Sequence, residues 1–275
     1  MGLRSVPIIT RLKASCRPPI CQGLECCLLN SGMNSQDDKI HSTSISGQMQ
    51  TREVQISIGE VVLEGALSIP FSAEGVVLFA HGSGSSRHSP RNQFVAQLLH
   101  KADVSTLLFD LLTQKEEAVD RVTGHLRFDI RLLAERLIGA TAWLGQVPEA
   151  RSLNTGYFGA STGGAAALVA AAELGDQVSA VVSRGGRPDL AGEALPSVRA
   201  PTLLIVGSYD EPVMAMNRAA YGALRCPKAL GIVPGATHLF EEPGTLEEVA
   251  RLATEWFRRY LQGPRDRGRA EVEVG

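Results

Sequence analysis

Ser161 stands in Gly159-Ala160-Ser161-Thr162-Gly163, with Gly164 and a run of small residues from Ala165 to Leu174 behind it. A serine hydroxyl is a poor nucleophile at neutral pH until a base lies within hydrogen-bond reach and an acid orients that base. The apolar pair Tyr157 and Phe158 precedes the motif, and Ala165, Ala166, Leu168, Val169 and Ala172 follow it at helical spacing. That pattern predicts a strand, an abrupt turn and a helix. In such a setting G-x-S-x-G lifts the serine to the apex of a strained turn, and glycine two residues to either side removes a Cβ clash. The helix start would offer free N–H groups and a positive dipole end to a developing oxyanion. A plain Gly-Ser turn between core elements would carry the same five letters, so the partners decide.

Three further strand ends carry suitable partners: His81-Gly82-Ser83-Gly84-Ser85, Gly207-Ser208-Tyr209-Asp210 and Pro234-Gly235-Ala236-Thr237-His238. Asp210 could simply cap a helix beginning near Val213, and His238 could be an ordinary exposed loop histidine. Glu211 and Glu241 are rival acids, but Asp210 sits where its strand ends. Taken together, Ser161 is read as nucleophile, His238 as base and Asp210 as the group that holds His238. His81 and Asp110 are read as shaping their own loops, and His88, His100 and His125 as surface residues.

The elements that must position these groups can be read from periodicity. Val54, Ile56 and Ile58 alternate, Gly59-Glu60 turns, and Val61, Leu63 and Leu67 continue, predicting a half-exposed antiparallel hairpin. Residues 75–80, 105–111, 178–182, 202–206 and 229–233 are short apolar runs, the mark of strands buried on both faces. Helices are expected over about 90–101, 128–144, 165–174, 213–224 and from Thr245, where Thr245-Leu246-Glu247-Glu248 spells a capping box. Residues 113–126 are polar and are expected to loop over the surface. Strands alternating with helices give a mostly parallel sheet, helices on both faces, with chemistry at the carboxyl ends of the strands.

The chain has 275 residues, 44% hydrophobic and 20% charged, with a net charge of −2. These values describe an ordinary globular protein and give no electrostatic case for nucleic acid or an anionic membrane. No run approaches the ~18 apolar residues of a membrane span. Cys16, Cys21, Cys26 and Cys27 crowd the first 27 residues and lack metal-site spacing, leaving Cys226 alone in the body. One cysteine in the body suits a reducing compartment, so a cytoplasmic location is expected. Residues 1–50, basic at the start and polar later, are expected to form a disordered or non-native tail, faintly like a transit peptide. The body is expected over 54–262 as one domain, with 263–275 a polar tail.

The motifs at His81-Gly82-Ser83-Gly84, Gly159 to Gly164, Gly207 to Asp210 and Pro234 to His238 make residues 54–262 resemble an α/β-hydrolase, most closely the dienelactone-hydrolase-like group. The resemblance implies that Ser161 attacks a carbonyl, His238 moves the proton and Asp210 holds His238. It also implies an oxyanion hole made by the backbone N–H groups of Thr162 and Ser83. Dienelactone hydrolases proper carry a cysteine nucleophile, and Ser161 departs from that pattern, which puts the dienelactone substrate in question while keeping fold and hydrolysis.

The expected activity is therefore cofactor-free and metal-free hydrolysis of a small-molecule ester, lactone or thioester through an acyl-enzyme, with no large cap over the site. The alternative is a non-catalytic binding protein on the same fold. Arg87, His88 and Arg91 follow one site loop and Arg184 and Arg187 another. These arginines could pair with carboxylates such as Asp189, Glu241 and Glu242, or Arg87 and Arg184 could stay free to bind an anionic substrate. The sequence leaves the oligomeric state open.

Overall fold

The computed structural model describes residues 49–262. Residues 1–48 of the tail expected over 1–50, with the four clustered cysteines, and the tail expected at 263–275 lie outside the described residues, while Gln50, counted in the first tail, belongs to a strand. The antiparallel hairpin pairs β1 (Gln50–Ile58) with β2 (Val61–Ile69), Ile58 opposite Val61. Its first strand begins at Gln50, four positions before the alternation at Val54 becomes visible. The remaining strands are β3 (Gly75–Ala80), β4 (Val104–Phe109), β5 (Asn154–Ala160), β6 (Val178–Arg184), β7 (Thr202–Gly207) and β8 (Lys228–Val233).

The sheet order is β1-β2-β4-β3-β5-β6-β7-β8. The β1–β2 and β2–β4 pairs are antiparallel and every other pair is parallel. This is an α/β-hydrolase sheet. The order reverses between β3 and β4, and β5 occupies the centre beside β3, so the Ser161 turn emerges mid-sheet. Every residue of β3, β4, β5 and β7 is buried, as their continuous apolar character requires when helices cover both faces. Leu78, Phe79, Tyr157 and Phe158 are fully enclosed, each contributing about 1.5–3 kcal/mol through burial.

Two cores result, one on each face of the sheet. Helices α3 (Ile130–Leu144) and α4 (Thr162–Leu174) pack on the face carrying Leu78, Leu107, Tyr157 and Val181. Helices α1 (Pro90–His100) and α6 (Thr245–Leu261) cover Val77, Phe79, Phe158 and Val182. Helix α5 (Glu211–Ala223) follows β7. No helix among the described residues is long and apolar enough to cross a membrane.

Two local readings are corrected. Residues 114–123 form helix α2 (Gln114–Thr123) where a polar loop was expected. Thr113 closes a complete capping box with Glu116, and Gly124 ends the helix in the left-handed conformation. The apolar stripe that normally announces a helix is missing because only Asp120 of α2 is buried. Conversely, the capping box expected at Thr245 does not form. Gly244 takes the N-cap position at φ 80°, and the Thr245 hydroxyl donates to the Glu242 carbonyl at 2.7 Å. Between β6 and β7 the chain makes only short 3-10 turns over Pro188–Ser197, with no inserted cap domain.

Candidate active site

Ser161 sits between the end of β5 and the start of α4 at φ 50° and ψ −119°. A residue with a side chain is strained there, at a cost of about 1–3 kcal/mol. Its neighbours enforce the conformation. A Cβ on Gly159 would lie 2.5 Å from the Gly163 carbonyl oxygen, and one on Gly163 would overlap the Ala80 backbone. The Ser161 N–H donates to the Arg184 carbonyl at 3.3 Å, and the Ser161 carbonyl accepts from Arg187 N–H at 3.1 Å. The apex of the turn is thus pinned from three strand ends.

Asp210 and His238 follow the last two strands, β7 and β8. His238 Nδ1 and Asp210 Oδ2 are 2.7 Å apart, with the Asp210 side chain 11% and the His238 side chain 38% exposed. The loops carrying them are knitted together. Tyr209 N–H donates to the Ala236 carbonyl at 2.9 Å and Gly235 N–H to Ser208 Oγ at 2.8 Å. Glu242 accepts from Thr237 Oγ1 at 2.6 Å and from its N–H at 3.2 Å, and these bonds hold the Glu242 carboxyl below its usual range. The His238 ring lies against Gly185, whose Cβ position is 3.6 Å from His238 Cε1. Gly185 directly follows Arg184, which holds the serine amide, so His238 and Ser161 both adjoin the end of β6. No hydrogen bond joins the Ser161 hydroxyl to His238 among the described residues. Such bonds commonly tighten only around substrate. The rival acids are elsewhere: Glu241 pairs with Arg91 at 3.0 Å, and Glu211 opens α5.

The loop after β3 passes beside the serine, a Cβ on Gly82 being 3.1 Å from Ser161 Cβ. Ser85 N–H closes a turn onto the Gly82 carbonyl at 3.1 Å, leaving Ser83 exposed at its corner. Thr162 is the first residue of α4, where N–H groups have no acceptor within the helix. His81 is structural. Its Nε2 accepts from Leu111 N–H at 3.1 Å and its Nδ1 donates to the Gly82 carbonyl at 3.0 Å, joining the ends of β3 and β4. Burial pushes its pKa below the usual histidine value, so it is neutral in the fold.

A clasp behind the same loop has little signature in the sequence. Buried Asp120 accepts from Leu126 N–H at 2.7 Å and Arg127 N–H at 3.1 Å, and its Oδ2 takes Arg127 Nε at 2.6 Å. Burial raises the Asp120 pKa, but these bonds outweigh it and hold the carboxyl below its usual range. Arg127 Nη1 then approaches Gly84, 3.6 Å from its Cβ position. The capping signal at Thr113 and the stop at Gly124 could have revealed the helix, though not the clasp.

The arginines divide. Arg87 is occupied by its neighbours: its guanidinium meets Asp110, Glu64 at 2.8 Å and Glu53 at 3.9 Å, and its N–H donates to Asp110 at 2.7 Å. Its charge is already answered, so of the two alternatives left open by the sequence Arg87 takes the paired one, with Asp110, Glu64 and Glu53 as its carboxylates. Arg187 is bidentate to Asp189 at 2.9 and 2.8 Å. Arg184 is different. It is 7% exposed and makes no ion pair among the described residues. Its guanidinium carbon lies 5.8 Å from the centre of the Phe240 ring. Burial, reinforced by the charge of Arg91, lowers its pKa to about 10. A ring face returns about 2 kcal/mol or somewhat more to a desolvated cation, against the several kcal/mol that removing the cation from water costs. Among the described residues no group of three His, Cys, Asp or Glu side chains is placed to hold a metal.

The order of the strands, the strained serine and the His238–Asp210 pair can now be set beside known proteins. No protein-family model matches the chain. A crystal structure of dienelactone hydrolase from Anabaena variabilis is 63% identical in sequence, with a TM-score of 0.77, covering 78% of this chain and 100% of that one. The chain belongs to the dienelactone-hydrolase-like family of α/β-hydrolases. A Pyrococcus furiosus esterase, 18% identical with a TM-score of 0.62, covers 78% of this chain and 92% of its own and shares the fold. Two curated Mycobacterium tuberculosis proteins are 56% identical over 216 residues, 78% of this chain, and carry the provisional name phosphoribosyl transferase. The dienelactone-hydrolase-like chain spans about half, 48%, of the length of those relatives, so their name refers to proteins with as much sequence again outside the match.

Proposed function

We propose that this chain hydrolyses small carboxylic esters, with lactones and thioesters as chemically equivalent alternatives, through an acyl-enzyme on Ser161. The single observation that carries the reading is the 2.7 Å His238–Asp210 pair on the strand ends next to a serine held at positive φ. Asp210 fixes His238 with Nδ1 as the protonated nitrogen, which leaves Nε2 to take the Ser161 proton and return it to the leaving group. The Ser161 oxygen bonds to the carbonyl carbon, and the carbonyl oxygen becomes the anion. The N–H groups of Thr162 and Ser83 are the donors assigned to that oxyanion. Water activated by His238 then cleaves the acyl-enzyme and regenerates the serine.

The substrate is small. The segment between β6 and β7, where a lid would enter, holds only short 3-10 turns, so little apolar wall is available to bury a long chain. Acetyl to butyryl esters should therefore be preferred over long acyl esters. The test is labelling with a fluorophosphonate followed by hydrolysis of an acyl series. Loss of labelling in Ser161→Ala and declining rates with chain length support the reading. Failure of the native protein to label or to hydrolyse any ester, lactone or thioester favours the binding-protein alternative.

A further inference from the structure

Asn217 lies in the middle of α5, fully buried, on the helix that begins immediately after Asp210. Asparagine is a poor helix former, and a buried amide needs partners at both ends to offset its lost hydration. Here only one end has them. Nδ2 donates to the Gly186 carbonyl at 3.0 Å and to the Val213 carbonyl one turn back at 2.8 Å. Oδ1 is sealed and has no partner among the described residues. The two carbonyls fix which end of the amide is which, because only the N–H end can face both. Leucine, with the same branching, would fill this helix position without stranding an acceptor. What the asparagine adds is its grip on Gly186, in the turn after β6.

That turn adjoins both Ser161 and His238. The Arg184 carbonyl accepts from the Ser161 N–H and the Arg187 N–H donates to the Ser161 carbonyl, so Gly186 sits between two bonds that hold the serine's backbone. Gly185, at φ 52°, packs against the histidine: its Cβ position is 3.2 Å from the His238 carbonyl oxygen and 3.6 Å from Cε1. With glycine at both 185 and 186, the turn has no side chains of its own to brace it there. The brace comes from α5. Asp210 is the N-cap of that helix, and its carbonyl accepts from Met214 N–H at 2.8 Å. Asn217 lies about two turns further along. Its amide therefore joins the helix that starts at the acid to the turn that holds the serine and touches the imidazole.

We propose that Asn217 is a positioning residue for the hydrolytic site: its amide locks α5 to the turn at 185–187 and so sets where the Asp210–His238 pair stands relative to Ser161. The proposal rests on the hydrolase reading for its effect on rate, whereas the strut itself does not depend on turnover. Losing the bond leaves the Gly186 carbonyl without its donor and frees the turn to shift beneath the serine and the imidazole. Asn217 is 0% exposed and makes no contact with substrate, so the loss falls on the chemical step and not on ground-state binding.

Kinetics and hydrogen exchange test it together. Asn217→Leu removes both bonds. Asn217→Thr keeps the one to Val213, because a helical threonine hydroxyl bonds the carbonyl one turn back, and loses the one to Gly186. Thr141→Val is the control, deleting a buried 2.6 Å bond to Tyr157 that touches none of Ser161, Asp210 and His238. On para-nitrophenyl acetate both Asn217 variants should lose kcat by roughly tenfold or more with KM nearly unchanged. Thr141→Val should lower the melting temperature and keep kcat. The Ser161 and Arg187 amide protons, whose bonds cross the turn, should exchange roughly tenfold faster in the Asn217 variants and at the native rate in the control. Should Asn217→Leu not fold, Asn217→Thr carries the same test. Native kcat in the folded variants, a loss expressed in KM alone, or amide exchange no faster than in the control overturns the proposal. If the native protein cleaves no ester while the Asn217 variants still speed exchange, the hydrolase reading fails and the strut stands.

Discussion

The Ser161 amide donates to the carbonyl of Arg184, 3.3 Å away, so the candidate nucleophile and the one buried arginine without an ion pair among the described residues hang from the same peptide contact. The strain at the serine and the placement of the charge are therefore set together at the end of β6. The consequences for stability and for activity separate cleanly under mutation.

Ser161→Ala should remain folded and lose hydrolysis by ~10³-fold or more, since the nucleophile goes while the oxyanion donors stay. Ser161→Gly should be equally inactive and yet more stable, by about 1 kcal/mol, because glycine accepts the positive φ without strain. Thermal melts with parallel rate measurements check both. A Gly variant less stable than Ala would show that the turn is not strained.

Asp210→Asn should lower kcat by about 10³-fold or more with little change in melting temperature. The amide can still fill the space beside His238 Nδ1 but cannot hold the imidazole in the protonation pattern the reaction needs. Retention of most activity would transfer the role to another acid.

Gly163→Ala should be among the most damaging single-methyl changes in the chain, on the order of 3 kcal/mol. Its Cβ would overlap the Ala80 and His81 backbone, which cannot rotate away as a side chain could. Chemical denaturation reads the loss; an unaffected midpoint would mean that α4 can slide from the β3 end.

Stability should fall as pH drops below about 6.5, partly through His81. Burial lowers the His81 pKa in the fold, so between the two pKa values the unfolded chain binds a proton that the native state does not. Its contribution is complete above the unfolded pKa and is lost progressively on acidification. His100, also lowered by burial, acts in the same direction. His81→Gln should flatten the pH dependence measured by urea midpoints between about pH 7 and 5, and His81→Gln with His100→Gln should flatten it further. An unchanged slope would place the acid sensitivity in other groups.

The sequence by itself determined the sheet, since runs such as Val76 to Ala80 and Thr202 to Val206 can be satisfied only where both faces are covered. It also placed Ser161, Asp210 and His238 after strands, and strand ends in a parallel sheet converge on one edge. Tertiary structure alone decided how those ends are wired. Helix α2 lacked an apolar stripe because it buries one carboxylate for a clasp. Thr245 lost its cap role to Gly244, because the chain enters α6 with Gly244 at positive φ. The two arginines behave oppositely for a reason no local pattern contains. Arg87 meets carboxylates brought from β1, β2 and the end of β4. Arg184 lies over the Phe240 ring, where no strand or loop among the described residues delivers an acid. Charge pairing depends on what arrives from distant parts of the chain, and periodicity reports only which face a residue lies on.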